Sequence, residues 1–195
     1  MENSRLSRKL DLIVMKKSLF ILAFALSSIL GFSQKLLTRS GEIKFDASMP
    51  DLAEVAAISK TVSAILDQST GSFATNALIK SFRFKAPLME EHFNENYMES
   101  SVYPNSKFVG KIINFDASKL SSTKSTYDLE GDLTIHGVTK KIKTKITLSS
   151  NAGKVTATSN FSVKAKEYKI EIPNLVKDKF AENIKVSVNL ILEAK

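Results

Sequence analysis

The 195-residue chain has two histidines, His92 and His136. His92 lies in Glu90-Glu91-His92-Phe93-Asn94-Glu95, where a helical face brings His92 and Glu95 together as possible metal ligands. With only these two histidines, no cysteine and no HExxH, a resident metal is not expected. Paired acids at Glu90/Glu91 and along Asp128, Glu130 and Asp132 are the other residue types that do chemistry. The second set alternates with apolar residues, which places it on a wet strand face as solvated charge. Ser, His and Asp have no nucleophile-elbow context, and the 7 glycines form no phosphate-binding loop. Lysines are scattered rather than clustered with arginine and aromatics, which argues against nucleic acid as a partner. The chain is read as a non-enzyme without cofactors. His136, in a turn, is expected to fix that turn by a hydrogen bond.

The elements that position these residues begin after a leader. Met15-Lys16-Lys17 is a short positive start, Leu19 to Leu30 is apolar except for Ser27 and Ser28, and Gly31-Phe32-Ser33 has small residues at its first and third places. This is a secretory signal, with cleavage expected between Ser33 and Gln34 and Met1–Val14 as an upstream extension, Met15 being the alternative start. The apolar run is shorter than the ~20 residues a bilayer span requires, so no permanent membrane anchor is expected. The missing cysteine also removes any lipid attachment after the signal. The mature protein is expected to be periplasmic or secreted. Residues 1–33 carry five basic and two acidic residues, so their removal lowers the net charge from +8 to about +5. Residues 34–195 are read as one domain, with globular values of 43% hydrophobic and 25% charged residues.

That domain reads as strands. Tyr127, Leu129, Leu133 and Ile135 share one parity; Asp128, Glu130, Asp132 and Thr134 share the other. After His136-Gly137, Ile142, Ile146 and Leu148 alternate with Lys141, Lys143, Lys145 and Thr147, which makes a hairpin. Asn151-Ala152-Gly153 is the next turn. Val155, Ala157, Phe161 and Val163 then share a face, as do Ile184, Val186, Val188 and Leu190. The first half is less regular. It reads as a short strand over Glu42–Asp46, helical turns over Asp51–Ile58, strands over Thr61–Asp67 and Phe73–Lys85 joined by Gln68-Ser69-Thr70-Gly71, helical spacing over Leu88–Tyr97, and a strand over Lys107–Phe115. About eight strands with one or two short helices predict a mainly all-β, antiparallel barrel or sandwich. An eight-stranded barrel is just wide enough to be filled by side chains or to hold one slender ligand, and the pattern leaves both readings open.

Two stretches resemble the YceI-like family. One is Leu88-Met89-Glu90-Glu91-His92-Phe93-Asn94-Glu95-Asn96-Tyr97-Met98-Glu99-Ser100 with Tyr103-Pro104 and Phe108-Val109-Gly110. The other is Tyr127-Asp128-Leu129-Glu130-Gly131-Asp132-Leu133-Thr134-Ile135-His136-Gly137-Val138-Thr139-Lys140. The likeness runs from about Gly41 to the end. It implies a lipocalin-like, eight-stranded antiparallel barrel that binds an isoprenoid lipid along its axis. Two departures stand out: the unusual segment before Phe73, and the absence of arginine between Phe161 and Pro173. The residues expected to line a lipid pocket are Phe82, Phe84, Phe93, Tyr97, Phe108, Phe115, Tyr127, Leu129, Leu133 and Phe161, with Tyr97 and Tyr127 able to meet a headgroup. The competing reading is a filled barrel that acts as a structural or interaction module of the cell envelope.

Overall fold

The computed structural model describes residues 35–52 and 54–194; the expected leader lies outside them. Nine strands follow in chain order: β1 Lys35–Ser48, β2 Ala56–Asp67, β3 Ser72–Leu78, β4 Arg83–Phe84, β5 Asn105–Ile112, β6 Ser125–Ile135, β7 Val138–Asn151, β8 Lys154–Val163 and β9 Phe180–Ala194. Among the described residues one α-helix, α1 (Pro87–His92), runs on into a π turn over Phe93–Tyr97. Every strand pairing is antiparallel. β1 pairs with both β9 and β2, so eight strands close into a barrel, and the two-residue β4 is added to β2 through Ala57↔Phe84. The expected eight-stranded antiparallel barrel is the observed fold.

The β6–β7 hairpin shows why the alternation was readable. It holds an unbroken register from Ser125↔Leu148 to Ile135↔Val138. Its outer face is a ladder of opposite charges, with Asp128–Lys145 at 2.6 Å, Glu130–Lys143 at 2.8 Å and Asp132–Lys141 at 3.5 Å. Hydroxyl pairs Thr126–Thr147 and Thr134–Thr139 extend it at both ends. The acids are therefore spent on cross-strand pairing. The tip is a two-residue turn with His136 at φ 50° and Gly137 at φ 71°, the left-handed geometry that a twisted hairpin requires.

Gly110 and Gly131 are register partners in β5 and β6, both on the inward parity. The Phe108 ring lies across them. A Cβ on Gly131 would sit 2.7 Å from Phe108 Cζ and 2.5 Å from the Val109 carbonyl oxygen, so only glycine lets the ring cover this pair.

The first half corrects the sequence reading. β1 spans 14 residues rather than Glu42–Asp46 alone, because register shifts between Thr38 and Ile43 break its parity. The described residues of Asp51–Ile58 are not helical: Asp51 and Leu52 lie in a turn, and Ala56–Ile58 already belong to β2. Phe73–Lys85 is interrupted by a 3-10 turn over Ile79–Ser81, and β5 ends at Ile112, short of Phe115.

The registers place the connections 48–56, 78–104, 135–138 and 163–180 at one end of the barrel, called the mouth below. The turns around residues 67–72, 113–124 and 151–154 lie at the far end.

Candidate functional site

The two halves of the barrel interior differ. Toward the far end the inward side chains fill it: Val62, Leu66, Ile112, Leu148 and Leu192 are at most 1% exposed. Phe115 and Tyr127 close that end, their rings 6.0 Å apart, and Gly71, at φ 71°, lets Phe115 lie against the chain. Toward the mouth the same parity continues but the side chains do not meet. Ile135, Ile142, Phe161, Val163, Val186 and Val188 are only partly buried although they point inward. Their exposed surface lines a cavity of about 160 Å³, against the ~10–15 Å³ that admits one water. Its wall carries no carboxylate and no histidine; Lys107, which belongs to the exposed parity of β5, is the one ionisable residue along it. Such a lining favours apolar matter over water.

A second chamber of about 570 Å³ lies outward of the first, within the ~300–1,000 Å³ range of ligand sites. It is formed by α1, the β1–β2 turn and the β8–β9 connection. Phe45, Phe93, Met98, Ile170 and Ile184 belong to both chambers and form the neck between them. Phe93 sits on the π turn and packs against Phe45 at 5.3 Å, Phe84 at 5.1 Å and Phe82 at 6.0 Å between ring centroids. π turns often mark functional positions. The ionisable residues of the outer wall are His92, Lys179 and Tyr97, the first two exposed.

The neck is held by a polar latch at the mouth. His136 meets Glu99 Oε2 through Nε2 at 2.8 Å and the Tyr168 carbonyl oxygen through Nδ1 at 3.2 Å. Both neighbours are acceptors, so a ring protonated on both nitrogens donates to both at once. The Tyr103 ring stands edge-on to His136 at 4.5 Å and covers Gly137, where a Cβ would lie 2.5 Å from Tyr103 Cε1. Glu99, His136 and Lys169 all have positive φ, so two left-handed non-glycine residues form the latch and a third follows Tyr168 beside it. Glu99 follows Met98 and Lys169 precedes Ile170, so the latch fixes two residues of the neck. Tyr168 is 2% exposed, and burial pushes its phenol pKa up. His136 thus ties the hairpin tip to two other connections, a wider hold than the turn-fixing hydrogen bond expected of it.

The structure divides the ten residues expected to line a pocket. Phe82, Phe93, Phe108, Leu129, Leu133 and Phe161 surround the inner cavity, and Phe84 and Tyr97 line the outer chamber with Phe93. Phe115 and Tyr127 line neither. Phe45 was missed, although its shared parity with Ile43 pointed inward. Met98, Ile170 and Ile184 were also missed; nothing local in Met98 or Ile170 marks a neck. Among the described residues no group of three His, Asp or Glu side chains is placed to hold a metal ion.

The sequence profile of the YceI-like domain matches residues 27–192. Among solved structures the barrel is similar to a polyisoprenoid-binding domain from Saccharophagus degradans implicated in plant cell wall breakdown, at 16% identity and a TM-score of 0.71, covering 84% of this chain and 99% of that one. It is also similar to BcnA of Burkholderia cenocepacia, at 16% identity and a TM-score of 0.65, over 77% and 95% of the two chains. The YceI protein of Campylobacter jejuni is similar at 18% identity and a TM-score of 0.56, over 74% and 88%. At these identities the likeness is one of fold. No curated protein matches the chain.

Proposed function

This chain belongs to the YceI-like family, and on that premise we propose that it is an exported, non-enzymatic carrier that holds an isoprenoid-type lipid in the mouth half of its barrel. The observation that carries the proposal is the pair of apolar chambers joined at an aromatic neck in an otherwise filled barrel. A chain drawn from water into such a space gains ~0.8 kcal/mol per buried CH₂ and requires few polar contacts. The slender inner cavity takes the end of the tail. The wider outer chamber takes the rest and leaves the head beside Tyr97, His92 and Lys179. The name of the Saccharophagus degradans domain, polyisoprenoid-binding, supports lipid as the ligand class for this fold. Export rests on the leader pattern alone.

Solvent extraction of protein purified without detergent, followed by mass spectrometry, tests the ligand. One prenyl-type lipid per protein is expected. Protein that remains empty after incubation with prenyl lipids contradicts the reading and favours a structural module of the envelope. N-terminal sequencing of the exported protein is expected to begin at Gln34, and an uncleaved cytoplasmic product contradicts export.

A further inference from the structure

Three leucines stand out of the mouth on three separate connections. Leu52 in the β1–β2 turn is 51% exposed, Leu88 at the start of α1 is 60% exposed, and Leu175 between β8 and β9 is 93% exposed. Single exposed apolar residues are ordinary, but these are not scattered. Leu52 and Leu88 also line the outer chamber, as does Val176 beside Leu175. Exposed leucines therefore stand at the rim of the outer chamber, two of them on its wall. Exposed apolar residues grouped at the rim of a cavity mark a docking surface.

The charges around it favour one kind of partner. Lys85 pairs with Glu54, Arg83 with Glu90, and Lys164 with Glu182. The connections at the mouth carry eight basic and nine acidic residues in all, so the collar is nearly balanced and offers no single-signed field to a charged macromolecule. Lys177 and Lys179 follow Leu175 two and four residues on, with stems long enough to reach past an inserted leucine to headgroup oxygens. Apolar tips, a neutral collar and two snorkelling lysines match the layered polarity of a lipid–water interface.

We infer that the mouth docks on a lipid bilayer by inserting Leu52, Leu88 and Leu175, so that the cavity opens directly onto the membrane. This rests on the carrier reading, because a bilayer both covers the rim and dissolves an apolar ligand. The neutral collar further implies that docking does not depend on anionic lipid.

Flotation with phosphatidylcholine vesicles, plain or doped with phosphatidylglycerol, tests the inference, using the wild type and the triple variant L52S/L88S/L175S. Wild-type protein is expected to float with both vesicle types. The triple variant is expected to lose at least ~tenfold in partitioning, since its three leucines no longer enter the acyl boundary. Its melting temperature should match the wild type, because the changed side chains are more than half exposed, and the single variant L175S, whose leucine lines neither chamber, should keep wild-type uptake of cis-parinaric acid from solution. Wild-type protein that does not float, or a triple variant that floats equally well, overturns docking. A concentration-dependent wild-type dimer that the triple variant abolishes, without flotation, assigns the rim to self-association and also overturns it. Failure of wild-type protein to take up cis-parinaric acid counts against the carrier reading, while flotation still decides docking separately.

Discussion

Gly131 faces Gly110 across β5 and β6, and the Phe108 ring lies over both. A methyl group at Gly131 meets the Val109 carbonyl as well as the ring, so a shift of Phe108 alone does not relieve it. Gly131→Ala is expected to destabilise the barrel by about 1–3 kcal/mol, read as a lowered midpoint in urea unfolding; an unchanged midpoint contradicts the packing described. His136 is the other residue whose neighbours define its role. Asparagine tolerates its left-handed backbone but is too short to span Glu99 and the Tyr168 carbonyl together. His136→Asn is therefore expected to lower stability by about 1–3 kcal/mol through lost hydrogen bonds rather than backbone strain, measured by chemical denaturation. Equal stability would mean that the latch holds nothing.

The β6–β7 hairpin carries its own test, because adjacent positions have opposite fates. Leu133 is 6% exposed and faces the cavity, so Leu133→Asp buries a carboxylate and is expected to cost upwards of ~3 kcal/mol or prevent folding. The exposed Asp132–Lys141 pair makes Asp132→Asn worth only about 0–1 kcal/mol. Thermal unfolding of the two variants checks the parity, and similar losses would show it misassigned. The far-end turns respond to acid. The Ser69 hydroxyl, with backbone N–H groups of Ser69 and Thr70, holds the Asp67 carboxyl below its ordinary value, and Ser118 does the same for Asp116. With the folded value depressed, the contribution of each group is present above the unfolded carboxylate pKa of ~3.9 and is lost as pH falls through the folded value. The double variant Asp67→Asn, Asp116→Asn is expected to show a smaller fall in melting temperature between neutral and acid pH than the wild type. These elements also explain what was legible. β6 to β9 announce themselves because strict alternation survives wherever register is unbroken. β1 and the start of β2 do not, because bulges around Gly41 and Val62 flip the parity that a reader follows. Phe82, Phe84, Phe108 and Phe161 were readable as apolar residues in strands and Phe93 and Tyr97 at helical spacing, but Met98 and Ile170 stand at the neck beside Glu99 and Lys169 at the latch. That latch joins residues far apart in sequence: Glu99, His136 and Tyr168.

At the scale of the whole molecule, one strand pattern serves two purposes. The far half is a filled core that closes the barrel, and the mouth half spends the same apolar faces on a cavity. Side chains that could have met to stabilise the fold leave empty space, a loss of packing that a ligand restores on binding. Filling that space should therefore separate stability from occupancy. Ile142→Phe with Val186→Phe places two larger apolar side chains on the inner cavity wall, and cavity filling of this kind commonly adds about 0.5–2 kcal/mol. The filled variant is expected to melt at or above the temperature of the ligand-free wild type. Native mass spectrometry of the two proteins after incubation with a prenyl lipid is the most direct test of the carrier reading. The wild type is expected to carry one lipid per protein and the filled variant none. Equal lipid occupancy in both, or an empty wild type, would contradict a cavity built to hold it.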